Sequence, residues 1–294
     1  MNSYIDRLYG EIVSALLMQG EYVRTRNSGV YRLFAPEVLR IDEFPLVQLR
    51  KTAHKKALRE MEWFMSGDTQ CPVELQDWWA GQLNEDMRLI DGYGTQLRRA
   101  PHSYNGYNDQ IRATLGDLRD HPFSRRILIT TWNPGDMAAI TENNDNPNTP
   151  TCCHATMIQY SVSADRDGKP ATLNAYHFQR SADVLLGLPH NLVQHWALLT
   201  FFAHHAGLKV GRLTYQLGDA HLYDEQSHLQ AAQAIMKWTQ GYNPTADAPM
   251  LVYKYGGEVD ELGVPAFKAS DFSVEWPEGV SPSEPLTKVR PKLL

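Results

Sequence analysis

The stretch from residue 171 to 223 constrains this chain more than any other. It reads as a strand over 171–178, a helix from about 190 to 206 and a strand over 212–217. Three polar motifs punctuate these apolar segments. They are Gln179-Arg180-Ser181-Ala182-Asp183-Val184, then Gly187-Leu188-Pro189-His190-Asn191, then Gly218-Asp219-Ala220-His221-Leu222-Tyr223. Upstream stands Cys152-Cys153-His154, two adjacent thiols followed by an imidazole.

The rest of the chain supplies further helices and strands. Ile5, Leu8, Ile12, Ala15 and Leu16 give residues 3–19 a helical period, and 46–66 reads as one long helix capped by Gly67. Residues 21–36 read as a loop entering a strand, with Arg24, Arg26 and Arg32 close together. Residues 70–99 look irregular, with Tyr93 in a Gly-Tyr-Gly turn, and 107–120 suits a helix. Strands are expected over 126–132 and 155–163, with a turn at Asp165-Arg166-Asp167-Gly168. Residues 140–151 read as a loop delivering the chain to Cys153. A helix over 222–238 and short strands at Met250–Tyr255 and Ala266–Val274 complete the pattern. With no repeat or linker, residues 1–294 read as a single α+β domain.

Composition excludes several classes. Hydrophobic residues make up 43% and charged residues 21%, the balance of a globular enzyme rather than a disordered chain. A net charge of -6 disfavours a bulk nucleic-acid partner while leaving room for a local basic site. The three cysteines, Cys71, Cys152 and Cys153, make no disulfide framework. That points to a reducing, cytoplasmic setting, and neither a signal peptide nor a membrane span is expected. No spaced Cys/His set suggests a metal site.

Read singly, the polar residues have ordinary alternatives; read together, they describe a nucleotide pocket attacked by sulfur. Cys153 is the candidate nucleophile, since a thiolate adds readily to an electron-poor carbon. A lone cysteine would more often be structural. Arg180 is the candidate phosphate clamp, with Ser181 as an added donor and Arg125-Arg126 and Arg24 as further cations. Alone, each arginine would be a solvated surface charge. Asn191 carries a donor and an acceptor, matching O4 and N3–H of uracil, although an Asn near a helix start is commonly a cap. His221 and Tyr223 can reach a ribose hydroxyl. Glu60, on an apolar helix side, suits proton transfer, and Tyr93 offers a phenol.

This set resembles the thymidylate synthase and pyrimidine hydroxymethylase family over nearly the full length. The matching residues are Arg24-Thr25, Glu60 before Trp63-Phe64 and Gly67-Asp68-Thr69, Tyr93-Gly94, and Ser124-Arg125-Arg126. They continue with Trp132-Asn133, Cys153-His154 and the three motifs of 179–223. The resemblance implies an α+β fold with a mixed sheet and surrounding helices, packed sheet to sheet as a homodimer. It implies that Arg125 and Arg126 cross to the partner's pocket and join Arg24, Arg180 and Ser181 around the 5′-phosphate. It implies covalent addition of Cys153 to C6 of dUMP and one-carbon transfer to C5 from 5,10-methylenetetrahydrofolate. Glu60 would relay protons and Tyr93 would help remove the C5 proton. Asn191 would select uracil, His221 and Tyr223 would hold the sugar, and Gln179 would also belong to the nucleotide site. Asp183 would hold the folate pterin, with Trp79, Gly187 and Leu188 also on the cofactor side.

The chain also departs from the pattern. Gln76 stands where a thymidylate synthase has an indole, Leu97 replaces another Trp, His190 replaces the Phe before the base-reading Asn, and Cys152 replaces the Pro before the nucleophile. The tail ends Val289-Arg290-Pro291-Lys292-Leu293-Leu294. Gln76, His190 and the altered tail together predict a wetter folate side, and hence a divergent, phage-type deoxyuridylate hydroxymethylase, ahead of a thymidylate synthase. A dCMP or CMP hydroxymethylase, disfavoured by Asn191, and a non-catalytic nucleotide- or RNA-binding regulator rank lower. Whether Arg24 or Arg26 meets the phosphate stays open at this stage.

Overall fold

The computed structural model describes residues 3–25, 28–102, 106–135, 152–241, 248–280 and 284–287. In chain order these form α1 (Tyr4–Gln19), β1 (Glu21–Arg24), β2 (Gly29–Phe34), β3 (Leu39–Ile41), α2 (His54–Ser66), α3 (Gln76–Trp79) and α4 (Tyr93–Arg99). There follow β4 (Ala100–His102), β5 (Gly106–Asn108), α5 (Gln110–Asp120), β6 (Leu128–Ile129), β7 (Met157–Ala164), β8 (Pro170–Asp183) and α6 (Leu188–His205). The chain closes with β9 (Lys209–Tyr223), α7 (Gln226–Gln240), β10 (Met250–Tyr253) and β11 (Phe272–Glu275). The expected loop over 140–151, Arg26 and the tail 289–294 lie outside the described residues.

The main sheet runs β1-β2-β9-β8-β7-β6, with β3 also on β9. Among the described strands of this sheet only β8 and β9 pair in parallel; the other ladders are antiparallel. A parallel pair needs a crossover, and α6 supplies it. Every α6 residue from Leu188 to Ala203 is buried, so this helix is apolar-packed on all sides rather than amphipathic. It lies against β8, β9 and α2. The mixed sheet and seven helices of the described residues make the α+β architecture that the sequence implied.

Several boundaries differ from expectation for local reasons. The helix expected over 46–66 begins only at His54. Before it, the Gln48 and Leu49 amides donate to the buried Asp6 carboxylate at 2.8 and 3.2 Å, which satisfies an extended backbone without helical bonds. The strand expected over 126–132 shrinks to Leu128–Ile129, because Thr130 N donates to the Gln110 side chain at 2.9 Å instead of to a neighbouring strand. The strand expected over 212–217 runs on to Tyr223, held by β2 on one edge and β8 on the other. Tyr93 opens a helix and is buried, rather than riding a flexible turn. Gly67 does end α2, at φ 72°.

Among the described residues no helix is long and apolar enough to cross a membrane.

Candidate active site

Cys153, the candidate nucleophile, is positioned by one phenol. The Tyr93 hydroxyl accepts the backbone N–H groups of Cys153 at 2.8 Å and His154 at 3.3 Å. With both lone pairs used, its proton is directed at Cys153 Sγ, 3.4 Å away. Tyr93 is held in turn between Phe64, stacked at 4.6 Å, and His154, stacked at 4.3 Å. Burial and the neighbouring Cys153 push the Tyr93 phenol well above its usual range, so it stays a neutral donor. Cys153 itself is half-buried, whereas Cys152 is buried. None of the three cysteines is disulfide-bonded.

Behind this pair lies a cluster that sequence reading missed. His154 Nδ1 meets His195 Nε2 at 3.2 Å, and the His177 and His195 rings sit 3.9 Å apart. His177 Nε2 accepts the amide of Ala155, which holds a left-handed φ of 50° just past the nucleophile. Burial drives His154 down to about 3 and holds His177 and His195 well below the usual imidazole range, so all three are neutral. The cluster shapes the nucleophile's loop from below.

Glu60 projects from the inner face of α2 and is buried. Trp79 Nε1 donates to its Oε1 at 2.5 Å and Gln194 Nε2 to its Oε2 at 2.6 Å. Burial pushes its carboxyl up to about 7, against the opposing pull of those two donors. From Glu60 a row of amides runs to the sheet. Asn191 Nδ2 donates to Gln194 Oε1 at 3.2 Å, Gln179 Nε2 donates to Asn191 Oδ1 at 3.3 Å, and Tyr215 donates to Gln179 Oε1 at 2.5 Å. Gln194 and Tyr215 were not singled out in the sequence. The i, i+3 spacing of Asn191 and Gln194 on one helix was the available signal for the first.

A cavity of about 290 Å³ is lined by Thr25, Val30, Arg32, Arg180, Ser181, Asp219, His221 and Tyr223; of the row, Gln179 directly precedes Arg180 and Ser181 on β8, while neither Asn191 nor Cys153 lines the cavity. Four expected nucleotide residues thus share one wall. Arg180 lies over Trp132 at 5.4 Å, and its buried Nε has no hydrogen-bond partner among the described residues. A guanidinium fixed by an aromatic ring and left short of an acceptor suits an incoming anion. Arg32 also lines the cavity, but it is engaged by Glu21 at 3.4 Å and Asp219 at 3.5 Å. Arg24 is exposed at the end of β1 and does not line this cavity; its neighbour Thr25 does. Arg125 and Arg126 are exposed, and Arg126 lines a separate depression with Phe123 and His121. Within one chain they do not join the cluster.

Among the residues expected on a cofactor side the structure is mixed. Asp183 Oδ1 accepts from Leu185 N at 3.0 Å and Leu186 N at 2.8 Å, leaving Oδ2 as an acceptor. Arg50, itself buried, donates to the carbonyls of Leu185 and Leu186 and so braces the same turn. Gly187 and Leu188 start α6, and Leu188 has no exposed surface, so it belongs to the core rather than to an open cofactor face. Trp79 is turned toward Glu60. His190 does not add the open polarity expected of it. Its Nδ1 faces the Leu186 carbonyl at 2.8 Å, its Nε2 accepts Ala53 N at 3.2 Å, and Trp78 packs on its ring at 4.8 Å. The imidazole serves as a cap for the start of α2.

Among the described residues no cluster of three His, Cys, Asp or Glu side chains is disposed to hold a metal. A family model described as thymidylate synthase matches residues 7–276, which covers nearly the whole chain.

Proposed function

We propose that this chain, which belongs to the thymidylate synthase family and so to the one-carbon transferases acting at C5 of dUMP, is a deoxyuridylate hydroxymethylase. The observation that carries the chemistry is the thiol of Cys153 facing a buried, neutral phenol, with the Asn191–Gln194–Glu60 row alongside.

Cys153 adds to C6 of the pyrimidine, and charge develops on O4 and C5. Arg180 and Ser181 take the 5′-phosphate, and His221 and Tyr223 take the sugar. Asn191 presents its remaining amide N–H to O4 and its remaining lone pair to N3–H. The groups around the site fit a folate: Asp183 keeps one carboxylate oxygen to accept a ring N–H, and Trp78 and Trp79 offer aromatic walls. When bound, 5,10-methylenetetrahydrofolate supplies a one-carbon unit at the oxidation level of formaldehyde. Tyr93 stands over Cys153, where the C5 proton must leave. Transfer of the one-carbon unit to C5, with loss of the C5 proton and of tetrahydrofolate, would leave an exocyclic methylene on the ring; Glu60, poised near neutrality, can take a proton from water as it adds to that carbon, and elimination of Cys153 then frees 5-hydroxymethyl-dUMP.

Support for water rather than hydride comes from Gln76. It is a half-buried amide one helical turn before Trp79, whose indole holds Glu60. Against it, Trp78 packed on His190 dries part of the same wall, and this favours the second reading, reductive methylation to dTMP. Mass analysis of products from dUMP and methylenetetrahydrofolate decides between them. Hydroxymethyl-dUMP with tetrahydrofolate is expected; dTMP with dihydrofolate would overturn the proposal.

A homodimer is part of the same reading. It is supported by the exposed Tyr176 and Leu128 on the sheet and by Arg125 and Arg126 standing free of this chain's own cavity. A fully active monomer in solution would refute it.

A further inference from the structure

Base choice in this site rests on which way one amide points. We propose that Gln194, a residue with no solvent exposure, is the positioning residue that locks the Asn191 amide in the orientation complementary to an oxo-pyrimidine and ties that orientation to Glu60. The inference rests on reading the pocket as one for a pyrimidine nucleotide.

The lock follows from donor and acceptor bookkeeping. Gln194 Nε2 donates to the Ala57 carbonyl at 3.1 Å as well as to Glu60. A backbone carbonyl can only accept, so the Gln194 amide has one possible sense. Its oxygen must then face Asn191, which must offer N–H there. At the other end Gln179 Nε2 donates to the Ser181 carbonyl at 2.8 Å, which fixes that amide independently. Its remaining N–H needs the Asn191 oxygen. Asn191 is therefore pinned from both sides, by two amides that are each anchored on a carbonyl of the main chain. Reversing it would set oxygen against oxygen at Gln194 and N–H against N–H at Gln179, and neither neighbour can turn to relieve this.

One N–H and one lone pair of Asn191 remain. Together they match the O4 acceptor and N3–H donor of uracil and mismatch the N4 amino group and N3 acceptor of cytosine. Rejection of an amino-pyrimidine thus depends on the anchors as much as on Asn191. Glu60 closes the row by accepting at both oxygens, from Trp79 and from Gln194, so the catalytic carboxyl and the base-reading amide share one hydrogen-bonded unit.

The experiment compares dUMP and dCMP binding by calorimetry, and their turnover, in the full-length wild type and in Gln194→Met and Gln194→Leu. The wild type is expected to prefer dUMP strongly, and each variant should lose about tenfold or more of that preference. The acid limb of the pH–rate profile should also move upward in the variants, because Glu60 has lost a donor. A merely structural role would weaken both nucleotides equally and leave the pH midpoint in place, which would overturn the proposal. If the variants do not fold, the wild type still decides: equal affinity for dCMP and dUMP refutes the lock. Failure to bind either nucleotide refutes instead the reading of the pocket, and product identity tests the proposed reaction separately.

Discussion

Replacing Tyr93 by Phe removes one oxygen and strands two amides. The Cys153 and His154 N–H groups both end on that hydroxyl, and His154 is buried. Phenylalanine fills the ring's place between Phe64 and His154 but leaves a void of one oxygen, too small for a replacement water. A stranded buried donor costs ~1–3 kcal/mol. Weighting the shorter Cys153 bond fully and the longer His154 bond less, the loss comes to about 3 kcal/mol. For a chain of this size that is roughly 6 °C in Tm. The catalytic loss has a separate origin: the phenol proton that faces Sγ is gone, and a missing general acid or base lowers kcat on the order of 100-fold or more.

Two assays separate the effects. A thermal melt reads the stranded amides. Deuterium uptake at C5 of dUMP in heavy water, with no folate present, reads addition of Cys153 to C6, because only the adduct gives C5 carbanion character. Tyr93→Phe should lower both. A melt within roughly 1 °C of wild type would show that the two N–H groups find other partners and would refute the account of how the loop is held. Undiminished C5 exchange would refute the role of the phenol at the thiol.

Three further outcomes follow from the same geometry. Arg180→Ala should cost about 100-fold in kcat/KM for dUMP and little for deoxyuridine, which has no phosphate; equal losses on both would show that Arg180 is only structural. Trp79→Phe removes a donor that holds the Glu60 carboxyl down, so the acid limb of the pH–rate profile, set by a group near 7, should move to higher pH. A limb that stays put or falls would refute the assignment of that limb to Glu60. Denaturant unfolding across pH tests the buried groups as a set. His154 and His190 are driven down to about 3 by burial, and His177 and His195 lie well below their usual range, so their contribution is complete above the unfolded value of ~6.5 and is lost as pH falls below it. Glu60 and Asp6, raised to about 7 and about 6, act oppositely, and their penalty at neutral pH is relieved on acidification. Stability should therefore fall between pH 6.5 and 4.5, less steeply than the four imidazoles alone would make it because Glu60 and Asp6 oppose them, and more steeply below, at up to ~1.4 kcal/mol per imidazole per pH unit. Stability rising steadily from pH 6.5 to 4 would exclude neutral buried imidazoles.

How far the sequence alone reaches can be judged residue by residue. The α1, α6 and α7 helices and the β7–β8 hairpin were legible because apolar periodicity and turn residues act locally. The segment before α2 was not. Its apolar residues at 46, 47 and 49 imitate a helical face, and only the distant Asp6 carboxylate, arriving through tertiary packing, satisfies the chain as an extended one. Of the site, Cys153, Glu60, Tyr93, Asn191 and Arg180 carry chemistry in their own side chains and could be named in advance. Gln194, His177, His195 and Tyr215 could not. Each looks like an ordinary residue of a core element until the neighbour it serves is known. His190 was read as added polarity, but an imidazole with both nitrogens engaged by backbone behaves as a cap.

The buried polar row also explains why so apolar a helix as α6 carries Asn191, Gln194 and His195 at all. Each would be costly if left without a partner in a core of this density. Asn191 and Gln194 are satisfied by one another, by Gln179, by Glu60 and by the Ala57 carbonyl, whereas His195 pairs with His154 behind Cys153. One crossover helix thereby joins the sheet that bears Arg180 and Gln179 to the α2 face that bears Glu60. A substitution anywhere along it strands a partner in the next element, so defects in base choice and in proton transfer should appear together. Loss of base discrimination with an unaltered Glu60 limb, in any variant of this row, would show that the two functions are carried by separate structures.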